Sequence, residues 1–335
     1  MAQSPILIIG AGAIGGVIGA HLCARGDDVA MIDVATSHID AIKQNGLRMT
    51  GTNPLHVRPR AFHPDELTQR FERIILAVKA RDTEAAMPSV ERHLADDGWV
   101  LPLQNGLGML DIASRVGERR VVGGVIAIGA IYEAPGVINF AGRGDTHVGE
   151  IDGHTSARVD QLVAMLSCVQ PTYASSNVIG DAWGKLALCA AYAGTALSDS
   201  DVLPLYELPP ARAILTRLVR EVALAARANG AAITPADGID PASFVDASDP
   251  EEAGRWSGQV AAWRNYTTTR TGIWRDLAVR RRPTEVAAQL NPVLEIARSH
   301  RLATPALERL LQLIAKVEQG ICPLGMETFL QLDGN

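Results

Sequence analysis

An α/β domain built on a doubly wound parallel sheet, followed by an all-α domain, is the fold class that this sequence predicts. Short apolar runs alternate with helical patterns over the first half of the chain, as in a parallel sheet covered by helices on both faces. A glycine-rich turn follows the first of these runs. After about residue 170 the strand patterns stop and helical periodicity takes over.

The first predicted strand is ILII at 6–9, whose lack of polar residues indicates burial on both faces of a sheet. A helix is predicted next, because apolar residues repeat at helical spacing at Ile14, Val17, Ile18 and Leu22. Arg25 and Gly26 are typical of the end of such a helix. Further strands are predicted at 28–33, 73–80, 99–106 and 120–133.

The second half of the chain carries amphipathic helical patterns. One helix is predicted over 211–230, where an Asn-Gly pair ends the pattern. A second is predicted over 304–320, with Thr304 as its N-cap and Gly320 at its end. Between them, residues 235–255 are rich in Asp, Pro and Ser, which favours an exposed loop.

Length and composition limit the classes of protein. With 335 residues the chain is expected to form two domains, 1–172 and 173–335. A net charge of -6 argues against a nucleic-acid partner. Four scattered cysteines without a C-x-x-C pair indicate a reducing compartment and give no metal-binding pattern. No apolar run is long enough to span a membrane, so we expect a cytoplasmic protein.

The glycines of the first turn are spaced G-x-G-x-x-G, at Gly10, Gly12 and Gly15, with Ala13 and Ile14 between them. In Rossmann-type domains the first glycine permits the tight turn, the second lets the backbone approach a pyrophosphate, and the third lets helix and sheet pack closely. The helix N-terminus supplies N–H groups and a partial positive charge. The strand, turn and helix context predicts a dinucleotide site; the alternative is a structural turn.

Asp33 ends the second predicted strand, eighteen residues after Gly15. A carboxylate at this position accepts hydrogen bonds from the adenosine ribose of NAD and repels the 2′-phosphate of NADP. The following residues, VATSHID, contain no arginine that would bind that phosphate. We therefore expect NAD in preference to NADP; the alternative is a solvated acid at a strand end.

Taken in order, seven motifs resemble those of the ketopantoate reductases, the 2-dehydropantoate 2-reductases, and the resemblance runs from about residue 6 to 320. They are GAGAIGG, GLRMTG, LAVKARDT, LPLQNGLG, PGVINFAGRGDTHVGE, WGKLALCAA and RRRPTEV. The resemblance implies an N-terminal Rossmann domain and a helical C-terminal domain like that of 6-phosphogluconate dehydrogenase, which binds the substrate and forms the dimer. It also implies reduction of a 2-keto acid to its D-2-hydroxy acid with a nicotinamide cofactor.

The resemblance also assigns site residues. It places the catalytic lysine of the family at Lys185, the asparagine on the nicotinamide side at Asn105, a cofactor-contacting lysine at Lys79 and the active-site glutamate at Glu285. Two of these positions have structural alternatives. Glu285 follows Thr284 and is also suited to the first turn of a helix, and the QNG around Asn105 also suits a plain turn.

The chemistry of these residue types is coherent without the resemblance. Hydride addition to a ketone leaves negative charge on oxygen, so a positioned cation or acid is required. Lys185 supplies both if burial brings its pKa towards neutrality, since burial favours the neutral amine. Asn105 offers amide donors and an acceptor to the nicotinamide ribose or to Lys185, and Glu285 orients a substrate hydroxyl or the ammonium group.

Four positions depart from the family pattern where it usually has polar residues. Asparagines are replaced by Cys189, Ala193 and Leu290, and a serine by Gly272. The polar groups that hold pantoate are therefore largely missing, and with them the discrimination they provide. The segment between Asp276 and Glu285 is also one residue longer than usual.

Arginines near this segment are candidates for an alternative grip on a substrate carboxylate. Arg275 and Arg270 are the first of them, because a guanidinium binds a carboxylate with two parallel hydrogen bonds. A solvated basic helix face is the alternative for either residue.

The expected function is an NAD-dependent oxidoreductase that interconverts a 2-keto acid and its D-2-hydroxy acid, with Lys185 as general acid and base. Two alternatives stay open: a ketopantoate reductase of pantothenate biosynthesis, and a non-catalytic NAD(H)-binding regulator. The expected partner is a small-molecule keto or hydroxy acid, with neither a nucleic acid nor a membrane, and a homodimer is expected.

Overall fold

The structure is a computed structural model that describes residues 4–246, 252–265 and 269–334. The chain divides after Val178 into two compact units. The first unit is α/β and the second is helical, which confirms the predicted fold class.

The first unit contains the strands β1 (Ile6–Ile9), β2 (Val29–Ile32), β3 (Leu47–Gly51), β4 (Leu55–Val57), β5 (Arg60–Phe62), β6 (Phe71–Leu76), β7 (Leu94–Pro102), β8 (Val122–Ala134), β9 (Val137–Glu150) and β10 (Thr172–Ala174). Its helices are α1 (Ala13–Arg25), α2 (Thr36–Asn45), α3 (Thr83–His93), α4 (Gly108–Val116) and α5 (Ala157–Leu166).

The main sheet is fully parallel, with the strand order β5-β2-β1-β6-β7. All four residues of β1 are buried, because apolar side chains on both faces of the strand are covered. The strand order reverses between β1 and β6, since β2 follows on one side and β6 on the other. In open α/β sheets, ligands bind at the carboxyl ends of the strands at such a reversal.

The strand predicted at 120–133 forms as β8, but it does not extend the parallel sheet. Val121 makes an isolated parallel bridge to Val100 of β7, and the chain then leaves that sheet. β8 pairs antiparallel with β9 through a turn at Gly136, where φ is +71°. The hairpin belongs to a second, mixed sheet with the order β10-β9-β3-β4. Its β-branched composition predicts a strand and does not specify the partner.

The second unit contains the helices α6 (Val178–Ala196), α7 (Val202–Glu207), α8 (Pro209–Ala228), α9 (Glu252–Arg255), α10 (Ser257–Asn265), α11 (Gly272–Trp274), α12 (Val286–Ser299), α13 (Pro305–Glu318) and α14 (Met326–Leu330). The helices predicted over 211–230 and 304–320 correspond to α8 and α13, and both predictions are confirmed. Gly320 follows α13 with φ at +72°.

The predicted cap of α13 is wrong in its chemistry. Thr304 occupies the N-cap position, but its side chain makes no capping hydrogen bond. Glu221 of α8 accepts the N–H groups of Ala306 at 2.9 Å and Leu307 at 2.8 Å instead. A carboxylate from another helix thus accepts hydrogen bonds from the free donors of the first turn. Its negative charge also interacts favourably with the positive end of the helix dipole.

The segment 235–255 is not the fully exposed loop that its composition predicts. Ile239 and Phe244 are buried, and the Phe244 ring packs edge-on against Trp256 with 5.7 Å between centroids. A short 3-10 turn, Pro241–Phe244, carries this contact. Residues 247–251 of the predicted loop lie outside the described residues.

Across the described parts of the chain, none of the helices has the length and apolar character needed to cross a membrane.

Candidate functional site

The glycines of the N-terminal motif have three different backbone roles. Gly10 turns the chain out of β1 at a φ of +97°, and a Cβ there would lie 2.7 Å from the backbone nitrogen of Val78. A Cβ on Gly15 would lie 1.9 Å from the Gly10 carbonyl oxygen, so helix and loop pack too closely for a side chain. A Cβ on Gly12 would meet no atom within 4 Å.

Gly12 is the N-cap of α1, and no side chain caps this helix end. The N–H groups of Ala13, Ile14 and Gly15 belong to the first turn, which offers them no acceptor inside the helix. Open space beside Gly12 and free donors behind it form a cradle for an anion. These residues therefore fit the pyrophosphate of a dinucleotide. The open space beside Gly12 leaves the start of α1 accessible to it.

Asp33 follows β2 directly and lies against the glycine loop. Its Oδ2 accepts the N–H of Ala11 at 2.8 Å, and its Oδ1 accepts the N–H of Ala35 at 2.9 Å. Both bonds fix the carboxylate in place, and each oxygen keeps a further lone pair. The carboxylate is therefore positioned to accept hydrogen bonds from ribose hydroxyls.

His38 of α2 also contacts the glycine loop, through the carbonyl oxygen of Ala11. The side chain is fully buried, with Nε2 2.8 Å from the Ala11 carbonyl oxygen. The N–H of Gly136, in the β8–β9 turn, donates to Nδ1 at 2.9 Å. Because Nδ1 accepts a hydrogen bond, we assign Nε2 as the donor to the Ala11 carbonyl oxygen.

Lys79 and Asn105 follow the carboxyl ends of the neighbouring strands β6 and β7. Lys79 is exposed, and its carbonyl oxygen accepts the N–H of Asp82 in a 3-10 turn. Asn105 is partly buried and precedes Gly106, where φ is +96°. Both lie at the edge of the parallel sheet that also carries the glycine loop, the edge at which a dinucleotide is expected.

Lys185 lies within α6 among buried residues of the second unit. Trp183, Leu186 and Ala187 beside it are buried. Cys189 and Tyr192 follow at i+4 and i+7 and therefore share the Lys185 face of the helix.

The electrostatic surroundings of Lys185 act in two directions. Desolvation by the surrounding protein lowers the pKa of its ammonium group. The neighbouring Cys189, Asp237 and Glu285 oppose that effect, because the negative charge that each carries once deprotonated raises the pKa of Lys185. The net result is a pKa of Lys185 below its usual value, which favours proton exchange closer to neutral pH.

Cys189, at a position where the family usually has asparagine, is a buried thiol beside Lys185. Burial raises its pKa to about 11, although the Lys185 charge acts against that rise. The thiol is consequently protonated at neutral pH, and its S–H is only a weak hydrogen-bond donor. It is a poor substitute for an asparagine amide that binds a polar substrate group.

Glu285 is the N-cap residue of α12 and is close enough to Lys185 for its charge to act on it. Thr284 before it donates both its N–H and its hydroxyl to Glu318, each at 2.7 Å. The Thr284 hydroxyl oxygen also accepts the N–H of Val286 at 3.3 Å. A helix N-terminus favours a carboxylate, so the position of Glu285 also suits interaction with the dipole of α12.

Asp237 is a member of this cluster that the sequence analysis missed. Its carboxylate accepts a hydrogen bond from the Tyr192 hydroxyl at 3.0 Å. The sequence signal at this place is an Asp-Gly pair, which indicates only a turn. Cys189, Glu285 and Asp237 are thus the groups whose charge acts on Lys185 in the structure.

The remaining substrate candidates have varied surroundings. Ala193 is buried at 1% exposure on α6, next to Tyr192. A Cβ on Gly272 would meet no atom within 4 Å, so that position has room for a side chain. Arg275 is partly buried, which lowers its pKa, and its guanidinium lies 3.4 Å from the Arg270 carbonyl oxygen.

Arg270 is already engaged within the protein. Its Nε donates to Asp201 at 2.9 Å, and its guanidinium lies 4.4 Å from the centroid of the Trp274 ring. The adjoining segment Arg275–Val279 is a π-helical turn, closed by the Arg280 N–H on the Arg275 carbonyl oxygen at 2.9 Å. Such a turn accommodates one residue more than an α-helical turn.

Among the described residues, His, Cys, Asp and Glu side chains nowhere gather in threes with the geometry of a metal site.

The fold and these two groups of residues are those of an oxidoreductase with a Rossmann-like cofactor domain. Two family models match the chain: "Ketopantoate reductase PanE/ApbA" over residues 6–153, and "Ketopantoate reductase PanE/ApbA C terminal" over residues 177–318. Together the matches cover most of the sequence. The chain belongs to the ketopantoate reductase family, whose enzymes act on CH–OH donors.

Curated relatives agree with this assignment. The chain is 29% identical to the 2-dehydropantoate 2-reductase of Halobacterium salinarum over 315 residues, which are 92% of this chain and 97% of that protein. It is 34% identical to the 2-dehydropantoate 2-reductase of Pyrococcus abyssi over 183 residues, 54% of this chain. That match covers only 59% of the Pyrococcus protein.

Solved structures share the fold over almost the whole chain. A D-mandelate dehydrogenase in ternary complex with NADH and anilino(oxo)acetate has a TM-score of 0.81 at 22% identity, covering 95% of this chain and 99% of that one. A PanE/ApbA family ketopantoate reductase from Ralstonia eutropha JMP134 has a TM-score of 0.78 at 24% identity, with the same coverage. At these identities the likeness shows the fold alone.

Proposed function

We propose that this protein is an NAD-dependent oxidoreductase that interconverts a 2-keto acid and its D-2-hydroxy acid, with Lys185 as the general acid and base. The observation that carries the proposal is the surroundings of Lys185, a lysine desolvated on α6 and flanked by acidic groups. The glycine cradle and the fixed Asp33 carboxylate support the cofactor part of the proposal.

A bound nicotinamide cofactor supplies or accepts the hydride. The Lys185 ammonium donates a proton to the carbonyl oxygen of the keto acid as negative charge develops there. In the reverse direction the neutral amine accepts the hydroxyl proton. Glu285 holds the ammonium group or the substrate hydroxyl in place, and Asn105 orients the nicotinamide ribose. A pKa of Lys185 lowered by burial lets one residue serve both directions.

We further propose that the natural substrate carries a less polar side chain than ketopantoate. Cys189 and Ala193 stand where the family usually has asparagines, and both are buried, at 6% and 1% exposure. A site that has lost amide donors and acceptors no longer favours a substrate hydroxyl. The D-mandelate dehydrogenase whose fold this chain shares acts, by its name, on a hydroxy acid with an aromatic side chain. Arg275 is the proposed partner of the substrate carboxylate.

The test is NADH oxidation by the full-length protein with 2-keto acids of graded size and polarity, including ketopantoate and phenylglyoxylate. We expect the apolar acids to give the higher kcat/KM, and Lys185→Ala to lower kcat by about 10²–10⁴-fold, the range of a lost general acid. Lys316→Ala on α13 is the matched control and retains wild-type activity. Wild-type protein that binds NADH and reduces no acid of the panel would support the non-catalytic regulator instead.

A ketopantoate reductase is the second candidate, because the curated relatives carry the name 2-dehydropantoate 2-reductase. The same panel separates the two proposals. Ketopantoate as by far the best substrate would show that the loss of the asparagines does not exclude pantoate from the site.

A homodimer and a cytoplasmic location complete the proposal. Large apolar side chains remain exposed on the second unit at Leu208, Val279, Ile321 and Leu330, and contacts between copies would cover such groups. The four cysteines are free, in keeping with a reducing compartment. Light scattering should give twice the chain mass of 35.6 kDa; the mass of a single chain would contradict the dimer.

A further inference from the structure

The segment Thr234–Gly238 follows the Lys185 face of α6. At one end, the Thr234 N–H donates to the Gly180 carbonyl oxygen at 3.2 Å, and the Thr234 hydroxyl donates to Asp181 at 2.6 Å. A Cβ on Gly184 would lie 2.0 Å from the Thr234 carbonyl oxygen, so only glycine fits beside Lys185. The other end of the segment contacts Tyr192, two helical turns beyond Lys185.

Asp237 lies in this segment and has little freedom to move. Its backbone is left-handed, with φ at +44°, and Gly238 follows at +83°. Gly238 packs on Gly258 of α10 so closely that a Cβ on Gly258 would lie 1.9 Å from the Gly238 carbonyl oxygen. The fully buried Gln259 donates a hydrogen bond to the Asp237 carbonyl oxygen. A backbone held at a strained φ by its surroundings is a common feature of functional sites.

The side chain of Asp237 is also held. The Tyr192 hydroxyl donates to Oδ2 of Asp237 at 3.0 Å and lies 3.5 Å from Oε1 of Gln259. The Tyr192 ring is fixed in turn by an edge-on contact with Trp263, with 5.7 Å between centroids. A carboxylate with a fixed backbone and a hydrogen-bonded oxygen has a defined direction and distance to its neighbours.

We propose that Asp237 is a positioning residue for Lys185, whose fixed carboxylate sets the orientation and the proton affinity of the Lys185 amine. This role rests on the proposed function, in which Lys185 carries the transferred proton. Asp237 acts together with the other groups that face Lys185, namely Cys189 on the same helix and Glu285 at the start of α12. Tyr192 serves to direct the Asp237 carboxylate.

The sign of the effect follows from charge. The Asp237 carboxylate stabilises the Lys185 ammonium, so that its removal lowers the pKa of Lys185 further. Asp237→Asn removes the charge and keeps the shape, and asparagine tolerates left-handed backbone as well as aspartate does. Tyr192→Phe keeps the charge of Asp237 but removes the hydroxyl that holds its carboxylate in one orientation. Asp240→Asn, in the same loop on an exposed side chain, is the matched control.

The experiment measures the reaction of Lys185 with acetic anhydride as a function of pH, followed by mass spectrometry of the full-length protein. The chain has four lysines, and Lys43, Lys79 and Lys316 serve as internal references. We expect the titration midpoint of Lys185 to fall by about one pH unit in Asp237→Asn, as for the loss of a nearby charge. Tyr192→Phe should give a smaller fall, and Asp240→Asn none.

An unchanged Lys185 midpoint in folded Asp237→Asn protein would overturn the proposal. If that variant does not fold, the Tyr192→Phe variant tests the proposal instead. A Lys185 midpoint equal to that of the wild type in Tyr192→Phe would likewise overturn it. The labelling requires no substrate, so the outcome does not depend on whether the wild type reduces any keto acid.

With an active wild type, the alkaline limit of kcat for reduction should move to lower pH in Asp237→Asn, whereas kcat well below that limit changes only a few-fold. A purely structural role would lower kcat equally at every pH.

Discussion

At the scale of single residues, Asp33 carries the proposed preference for NAD. Its carboxylate is fixed by the N–H groups of Ala11 and Ala35, so it does not turn away from an incoming group. A second negative charge beside it, such as a 2′-phosphate, is repelled by this carboxylate, because the carboxylate is held in place and does not move away. The fixed geometry therefore supports the proposed preference for NAD over NADP.

Asp33→Arg should reverse this preference. We expect the ratio of NADPH to NADH affinity to rise about 100-fold, roughly 2.8 kcal/mol, because a guanidinium binds the 2′-phosphate and no longer accepts ribose hydroxyls. The measurement is fluorescence titration with both cofactors. Asp40→Arg on α2 is the control for a general change of charge and should leave the ratio unchanged. Equal binding of NADPH and NADH by the wild type would contradict the prediction.

At this scale the sequence predicted some site residues and not others. Lys185, Glu285 and Asp33 belong to motifs that are short, local and rich in information. Asp237 was missed because its contacts are not local: its partner Tyr192 is 45 residues away along the chain. A one-dimensional pattern shows the Asp-Gly turn and cannot show which helix the turn packs against.

At the scale of elements, the α8–α13 contact shows how a helix can be capped from outside its own segment. Glu221 lies at 9% exposure and accepts two N–H groups at the start of α13. Burial raises the pKa of this carboxyl group, although both hydrogen bonds act against that rise. The cap therefore links the stability of α13 to its packing on α8.

Glu221→Ala should destabilise the second unit. Two buried backbone donors lose their acceptor, so we expect a loss of about 1–3 kcal/mol in the free energy of unfolding. Urea denaturation followed by circular dichroism measures it. The matched control is Glu295→Ala at an exposed position of α12, which should cost less than about 0.5 kcal/mol. Equal losses in the two variants would show that the cap contributes nothing.

The strand β8 illustrates what composition leaves open about an element. Its β-branched residues predict a strand, and the strand forms. Pairing is decided by the turn at Gly136, which brings β9 alongside as an antiparallel partner before β8 can continue along the edge of the parallel sheet. A local hairpin closes a far shorter loop than a crossover does, and loop closure costs entropy.

At the scale of the whole molecule, the two units carry different groups of candidate site residues. The first carries the glycine cradle and Asp33, and the second carries Lys185 and the acids around it. The proposed reaction needs groups from both units, since neither set alone provides cofactor binding as well as proton transfer. Binding of the cofactor should consequently raise the free energy of unfolding even when Lys185 is replaced.

NADH should raise the unfolding temperature of the full-length protein in scanning calorimetry. At a hundred times its dissociation constant it adds about 2.7 kcal/mol to the stability of the state that binds it. NADPH at the same concentration should give a smaller rise, and ATP, as a control for general anion binding, a smaller one still. The rise with NADH should persist in Lys185→Ala. An unfolding temperature that neither dinucleotide changes would contradict the proposed cofactor site.

The sequence by itself determined the fold class and the glycine turn, and it predicted Asp33 and Lys185 as site residues. These depend on short-range patterns: apolar periodicity, glycine spacing and contiguous motifs. The tertiary structure alone decided the partner of β8, the cap of α13 and the hydrogen bond between Asp237 and Tyr192 of α6. Each of these joins segments that are brought together by packing, and the energies of such contacts do not appear in any local stretch of sequence.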